Sequence, residues 1–207
     1  MKIVRTDKEL HTPMIDAKIK EAGHQLVLLP DGITEDQLIE ATRDTELILM
    51  CYTPITSRII EAAKKLKGIV KYGVGIDAID IPAAVERGIP VVNIPEYAEE
   101  TVAEGAFAML IALAKKMPAI RNTMENNGWA WPEPEWRGSD IAGKTLGIVG
   151  FGKIGKSMAR MANKGFRARV ISFSPHTDST EMEKFGVIKY SSLTHLLSDS
   201  DFVSIHS

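Results

Sequence analysis

Cysteine occurs once in 207 residues, as Cys51, which excludes an internal disulfide and any thiolate cluster for zinc or iron–sulfur. Histidine is sparse too: His11, His24, His176, His195 and His206 show no H-x-x-x-H spacing, so no metal site is assigned. Long apolar runs are missing. The longest, Ala106 to Ala114, is far too short for a bilayer, and the opening MKIVRTDKELH lacks the apolar core of a secretory leader. The expectation is a cytoplasmic chain with no membrane partner. Nor does one sign of charge dominate: 25 Lys and Arg against 27 Asp and Glu leave a net charge of -2, with the basic residues scattered rather than striped. Nucleic acid is therefore not an expected partner. What is present, 44% apolar and 25% charged residues, fits an ordinary soluble globular protein and excludes disorder and fibre classes.

Along the chain, short β-rich runs alternate with helical patterns. KIVRT reads as a strand, Met14 to Ala22 as a helix closed by Gly23, and QLVLLP as a second strand. Thr34 with Gln37 three positions on forms a capping box for a helix from Glu35 to Ala41, and ELILMC follows as a third strand. A helix from Thr56 to Leu66, the strand GIVKY, a short helix opened by Pro82 and closed near Gly88, and the strand PVVN complete the run. Five strands joined by helices predict a parallel sheet covered on both faces, and residues 1–94 form one α/β domain.

Pro95 breaks the register, and an apolar helix follows from about Glu99 to Lys116. Its apolar residues, from Val102 and Ala103 through Met109 to Leu113, cover most of the circumference, which predicts burial on two sides, between domains or between subunits. Pro118 ends or kinks it. NNGWAWPEPEWRGSD holds every tryptophan of the chain, Trp129, Trp131 and Trp136, and reads as a loop with apolar anchors that pack onto the second domain rather than lining a substrate mouth or a subunit contact. A second α/β run starts at KTLGIVG and continues through a helix from Ile154 to Asn163, ARVISFS, VIKY and DFVSIHS. Residues 95–207 form the second domain.

The stretch GFGKIGKS fits two motifs. As G-x-G-x-x-G it uses Gly150, Gly152 and Gly155 for a dinucleotide turn; as G-x-x-x-x-G-K-S it enlists Lys156 and Ser157 for a P-loop NTPase. The triphosphatase also needs a metal-holding carboxylate at the end of a later strand, and ARVISFS, VIKY and DFVSIHS end in Ser, Tyr and Ser. The dinucleotide reading also gives Gly152 a task, letting the backbone approach a pyrophosphate. It is preferred, with Lys156 as a solvated first-turn residue.

Taken with KYGVGIDAIDIPAAVERGIPVVNIPEYAEETVAEGAFAMLIAL and SDFVSIHS, the block GKTLGIVGFGKIG closely resembles the D-2-hydroxyacid dehydrogenases, the family of phosphoglycerate dehydrogenase and glyoxylate/hydroxypyruvate reductases, over essentially the whole chain. The resemblance implies an α/β protein with a flavodoxin-like substrate domain followed by a partial Rossmann domain, a doubly wound parallel sheet, with a hinge near Asn93 to Pro95 and a cleft between the two. It implies a homodimer through the helix at 99–116, and hydride transfer between NAD(P)H and a small 2-oxo acid.

Residue by residue, the resemblance places the substrate carboxylate on backbone amides of Val74 and Gly75, with Tyr52 near enough to touch substrate. Cys51 reads as buried filler, since no basic partner is near it in sequence. Gly150, Gly152, Lys153, Ile154 and Gly155 match the pyrophosphate turn. Thr101 matches a cofactor-facing position, although a structural helix-start hydroxyl explains it equally well. His206 stands at the strand end that leads into a loop over the cofactor, its alternative being a strand-end histidine with no task. At Ser174 an NAD-specific site would carry Asp or Glu; the sequence continues Pro175, His176, Thr177 without an arginine, which leans the cofactor towards NADP.

The family's catalytic Arg, and its His tuned by Glu, match points beyond Ser207, and His195 aligns with a surface helix. No catalytic residue is assigned. The expectation is a C-terminally truncated fragment, short by roughly a hundred residues of the nucleotide fold, that gives no turnover. The alternatives are a non-catalytic dinucleotide-responsive binding protein of the same fold and, remotely, the NTPase.

Overall fold

In the computed structural model, which describes residues 1–207, the β-rich runs pair in parallel, each return to the sheet being made by a helix. The chain divides into two units, Met1–Tyr97 and Ala98–Ser207.

The first unit runs β1 (Lys2–Arg5), α1 (Pro13–Glu21), β2 (Gln25–Leu28), α2 (Glu35–Thr42), β3 (Leu47–Met50), α3 (Ser57–Ala62), β4 (Gly68–Lys71), α4 (Ile81–Glu86) and β5 (Val91–Val92). Its strand order, β2-β1-β3-β4-β5, is the flavodoxin-like one, with the switch point between β1 and β3. Val4, Ile48 and Ile69 from neighbouring strands are fully buried together with Leu38, Ile59 and Ile60 from the helices. Each such side chain contributes about 1.5–3 kcal/mol of apolar burial. The capping box of α2 is present in both directions: the Gln37 N–H donates to Thr34 Oγ1 and the Thr34 N–H to Gln37 Oε1. α3 is shorter than the expected Thr56 to Leu66. It stops at Ala62, and the Arg87 guanidinium takes the carbonyls of Ile60 and Ala63 that further helical turns would have used.

The second unit begins with α5 (Glu99–Ala114) and α6 (Met117–Asn127), then a 3-10 turn at Pro134–Trp136. β6 (Thr145–Val149), α7 (Lys153–Arg160), a π-helical turn at Met161–Gly165, β7 (Arg169–Phe173), α8 (Ser179–Glu183), β8 (Val187–Lys189), α9 (Leu193–Ser198) and β9 (Phe202–Ile205) follow. The parallel order β8-β7-β6-β9 is that of the first four strands of a Rossmann sheet, with its switch point between β6 and β9.

Two expectations change here, those for Pro118 and the tryptophan loop, and within the chain α5 buries one of the two sides expected to be covered. α5 buries one face, through Ala103, Phe107, Leu110 and Ala114, while Val102, Met109 and Leu113 on the other side are exposed. Pro118 does not end a helix but sits in the first turn of α6, where its missing N–H costs nothing; the break is at Lys116, in the left-handed region at φ 57°. Two of the three tryptophans do not anchor the loop as expected: Trp129 and Trp131 are 74% and 77% exposed and pack edge to face on each other at 6.3 Å, while Trp136 is half-buried.

Candidate dinucleotide turn and anion loop

β6 delivers the chain to the turn at Gly150, where φ is +93° and a methyl group would meet the His206 carbonyl carbon at 2.6 Å. Only glycine fits there. A Cβ at Gly155 would run into the Gly150 carbonyl oxygen, so α7 leaves the turn in direct contact with the strand end. Gly152 differs from both. Its Cβ position meets nothing within 4 Å, so no protein atom accounts for the missing side chain. As N-cap of α7, Gly152 brings no side chain to the helix's unpaired N–H groups, and the first helical bond is made by the Lys156 N–H to its carbonyl. The turn thus presents first-turn amides and a positive helix end on its open side, the arrangement that accepts a phosphate bridge. Phe151, which sequence reasoning passed over, is buried and packs edge to face on Phe185 at 5.7 Å, fixing the turn from beneath.

The residues that would serve a triphosphatase point elsewhere. Lys156 is not merely solvated: its ammonium pairs with Glu181 of α8 and lies 5.9 Å from the Phe185 ring centre. The buried Ser157 hydroxyl donates to Glu100 Oε1 at 2.7 Å, and Arg160 pairs with the same carboxylate, so both tie α7 to α5.

Lys153 is exposed in the first turn of α7, 3.8 Å from Glu99, and Ile154 beside it is half-buried. His206 continues the β9–β6 pairing through its N–H to Val149 O at 2.7 Å, which sets it at the switch point beside Gly150. Its ring bonds Ser204 Oγ at 2.8 Å, and burial holds its pKa below the usual histidine value. Ser174, just past β7, is buried, with Oγ 3.1 Å from Thr177 Oγ1. Thr101 is exposed in the first turn of α5, whose N-cap is Ala98, so its hydroxyl does not cap that helix.

In the first unit, Val74 and Gly75 follow β4 in a bend held by Asn93 Nδ2 to Val74 O at 2.7 Å and by Ile94 N–H to Gly73 O at 3.0 Å. Both residues are exposed. Tyr52, past the end of β3, is 72% exposed, with Lys71 Nζ 5.3 Å from its ring centre. Cys51 does have a basic neighbour, brought by the β3–β4 pairing: Lys71 Nζ bonds its carbonyl and lies 3.9 Å from Sγ. Burial nevertheless pushes the thiol pKa up, which keeps it protonated and inert.

Sequence reasoning missed Asp7. It sits just past β1 at φ 56°, buried, and its carboxylate accepts the N–H groups of Cys51, Tyr52 and Thr53 at 2.8, 3.1 and 3.1 Å, plus the hydroxyls of Thr6 and Thr53. Burial works against its charge, but these bonds outweigh it and hold the carboxyl below the usual aspartate value. The Tyr72 hydroxyl, pushed to about 12 by burial and then by Asp7, donates to Thr6 O at 2.9 Å. No spacing motif announces Asp7, because its loop partners Cys51, Tyr52 and Thr53 lie 44 to 46 residues away and meet it only where β1 adjoins β3.

A Rossmann strand order with a three-glycine turn at its switch point defines a dinucleotide-binding α/β protein. Residues 107–207 match the family model for the NAD-binding domain of D-isomer-specific 2-hydroxyacid dehydrogenases. Across all 207 residues the chain is 33% identical to a D-3-phosphoglycerate dehydrogenase of Methanocaldococcus jannaschii, covering 38% of that protein. It is 39% identical over 175 residues to a glyoxylate reductase of Korarchaeum cryptofilum, covering 82% of this chain and 51% of the relative. Among solved structures, an acyclic imino acid reductase in complex with NADPH and D-Arg superposes with a TM-score of 0.85 at 30% identity, over 100% of this chain and 65% of that one. Residues 107–207 thus match the D-isomer-specific 2-hydroxyacid dehydrogenase family, the chain as a whole is similar to its members, and it spans about two-fifths to one half of the length of the two sequence relatives named.

Proposed function

We propose that this chain supplies the dinucleotide turn and the anion loop of an NAD(P)-dependent oxidoreductase that interconverts a small 2-oxo acid and its 2-hydroxy acid. The observation that carries this reading is the division of labour among the three glycines: Gly150 and Gly155 are required by protein contacts, whereas the bare face of Gly152 opens on space that protein atoms leave unfilled. In this reading the amides of Lys153 and Ile154 hold the pyrophosphate. Thr101, Ser174 and His206 face the rest of the cofactor, and the bound nicotinamide supplies or accepts the hydride. Val74 and Gly75 present N–H groups to the acid's carboxylate, with Tyr52 beside them. The lean towards NADP rests on Ser174 standing where a carboxylate would repel a 2′-phosphate. A cytoplasmic homodimer through α5 completes the proposal.

No catalytic residue is assigned among these 207 residues. Burial lowers the pKa of His206, and its ring bonds a serine rather than a carboxylate, so nothing beside it tunes it as a general acid. The polypeptide is therefore expected to bind NADH or NADPH, seen as quenching or blue-shift of nicotinamide fluorescence on titration, without oxidising either in the presence of glyoxylate, hydroxypyruvate or pyruvate. Binding of neither nucleotide sinks the dinucleotide reading; steady oxidation by the purified chain sinks the claim that it holds no catalytic acid.

A further inference from the structure

The turn after β7 is where a dinucleotide site distinguishes a free ribose from a 2′-phosphorylated one, by a carboxylate in the first case and a cation in the second. Along the sequence this turn, Ser174 to Asp178, contains no Lys or Arg. The fold brings one from the side. β8 lies beside β7 in parallel, with Lys189 paired to Ser172, so the last residue of β8 stands level with the end of β7. Its ammonium crosses to the turn and donates to the Thr177 carbonyl at 2.7 Å, while Thr177 Oγ1 and Ser174 Oγ lie 3.1 Å apart beneath the same turn.

Several lysines of this unit pair with carboxylates, and the others that do not, Lys116, Lys164 and Lys184, make no side-chain bond to this turn. Lys115 pairs with Asp140, Lys144 with Asp201 and Lys156 with Glu181. Lys189 instead spends one of its three donors on a neutral carbonyl and keeps its charge uncompensated in a half-buried position. An ammonium held by a backbone bond, with two hydroxyls close by, matches a phosphate dianion, which asks for a point charge and several donors. The opposing group is Asp178, the exposed N-cap of α8, which makes no capping bond and would favour an unphosphorylated ribose.

We propose that Lys189 makes this chain select the 2′-phosphorylated dinucleotide, NADP(H), over NAD(H). The proposal rests on the dinucleotide reading of the Gly150–Gly155 turn. The test is calorimetric titration with 2′,5′-ADP and 5′-AMP, which differ only in the 2′-phosphate, alongside NADPH and NADH. The unmodified chain is expected to prefer the phosphorylated member of each pair by about tenfold or more, one charge-assisted contact's worth. Lys189→Gln should collapse that preference and Lys189→Arg should retain it, with circular-dichroism melts confirming that both variants fold. Equal binding of the two members, preference for NADH, or a preference that survives in Lys189→Gln overturns the role of Lys189 while leaving the dinucleotide site standing. Failure of all four ligands to bind the unmodified chain overturns both.

Discussion

Gly150, Gly152 and Gly155 look alike in sequence, and the structure separates them by what an added methyl would meet. At Gly155 it would strike the Gly150 carbonyl, at the contact between α7 and β6. At Gly152 the backbone is extended, with φ -75°, and the space beyond is clear, so alanine fits the protein. Gly155→Ala is therefore expected to lose about 1–3 kcal/mol of stability through overpacking. Gly152→Ala should be neutral or gain about 0.4–1 kcal/mol, since alanine has less unfolded-state entropy to lose. Nucleotide affinity should rank them the other way, with Gly152→Ala binding NAD(P)H at least tenfold more weakly because its methyl stands where the pyrophosphate would come. Urea unfolding together with fluorescence titration checks the pair; a Gly152→Ala chain that binds as well as the parent refutes the placement of the diphosphate. These glycines were legible in the sequence because their spacing falls within six residues of chain, although the His206 carbonyl that crowds Gly150 comes from the far end of β9. Lys189 and Phe151 were not, since each acts on a partner in a turn that the fold brings to it, Thr177 and Phe185.

Elements were legible where the signal was local and illegible where a neighbour decided. The Thr34–Gln37 box announced α2, and short β-rich runs announced every strand, whereas α6 was missed because a proline reads equally as a stop and as a first-turn residue. The tie between β1 and the loop after β3 lies wholly outside local signal, and it depends on one charge. Asp7 satisfies three loop N–H groups at once, and its folded pKa lies below the unfolded value near 3.8. On acidification the unfolded chain takes the proton first, so the stabilisation is complete above that value and is lost as pH falls through the folded pKa. Asp7→Asn tolerates the left-handed backbone but withdraws an acceptor oxygen, and is expected to cost about 1–3 kcal/mol at pH 7. The gap between parent and variant should begin to narrow as the unfolded chain takes the proton near 3.8, and close further as pH falls through the lower folded value. Denaturant titrations at pH 7 and pH 3.5 decide it; a gap that stays constant means the charge of Asp7 is not what holds the loop.

At the scale of the whole molecule, the feature left unexplained by either unit's own packing is the outer face of α5. The helix spends Ala103, Phe107, Leu110 and Ala114 on its own core, yet Val102, Met109 and Leu113 project outward, with Met109 and Leu113 about two-thirds exposed. Trp129 and Trp131 in the same unit are more exposed still. The two-sided apolar character read from the sequence was thus correct as a property of the helix, but one of its sides finds no cover within the chain. Lone apolar residues on a surface need no explanation, whereas a row along one helix face marks a candidate interaction face. A net charge of only -2 leaves little electrostatic repulsion between copies. The expected state in solution is a dimer, with a mass by light scattering near twice the 22.7 kDa of one chain. Replacing Met109 and Leu113 together by glutamate places two charges on that face and should yield a monomer whose melting, followed by circular dichroism, is no longer concentration-dependent. A parent that is monomeric at tens of micromolar, or a double variant that remains dimeric, removes α5 as the contact.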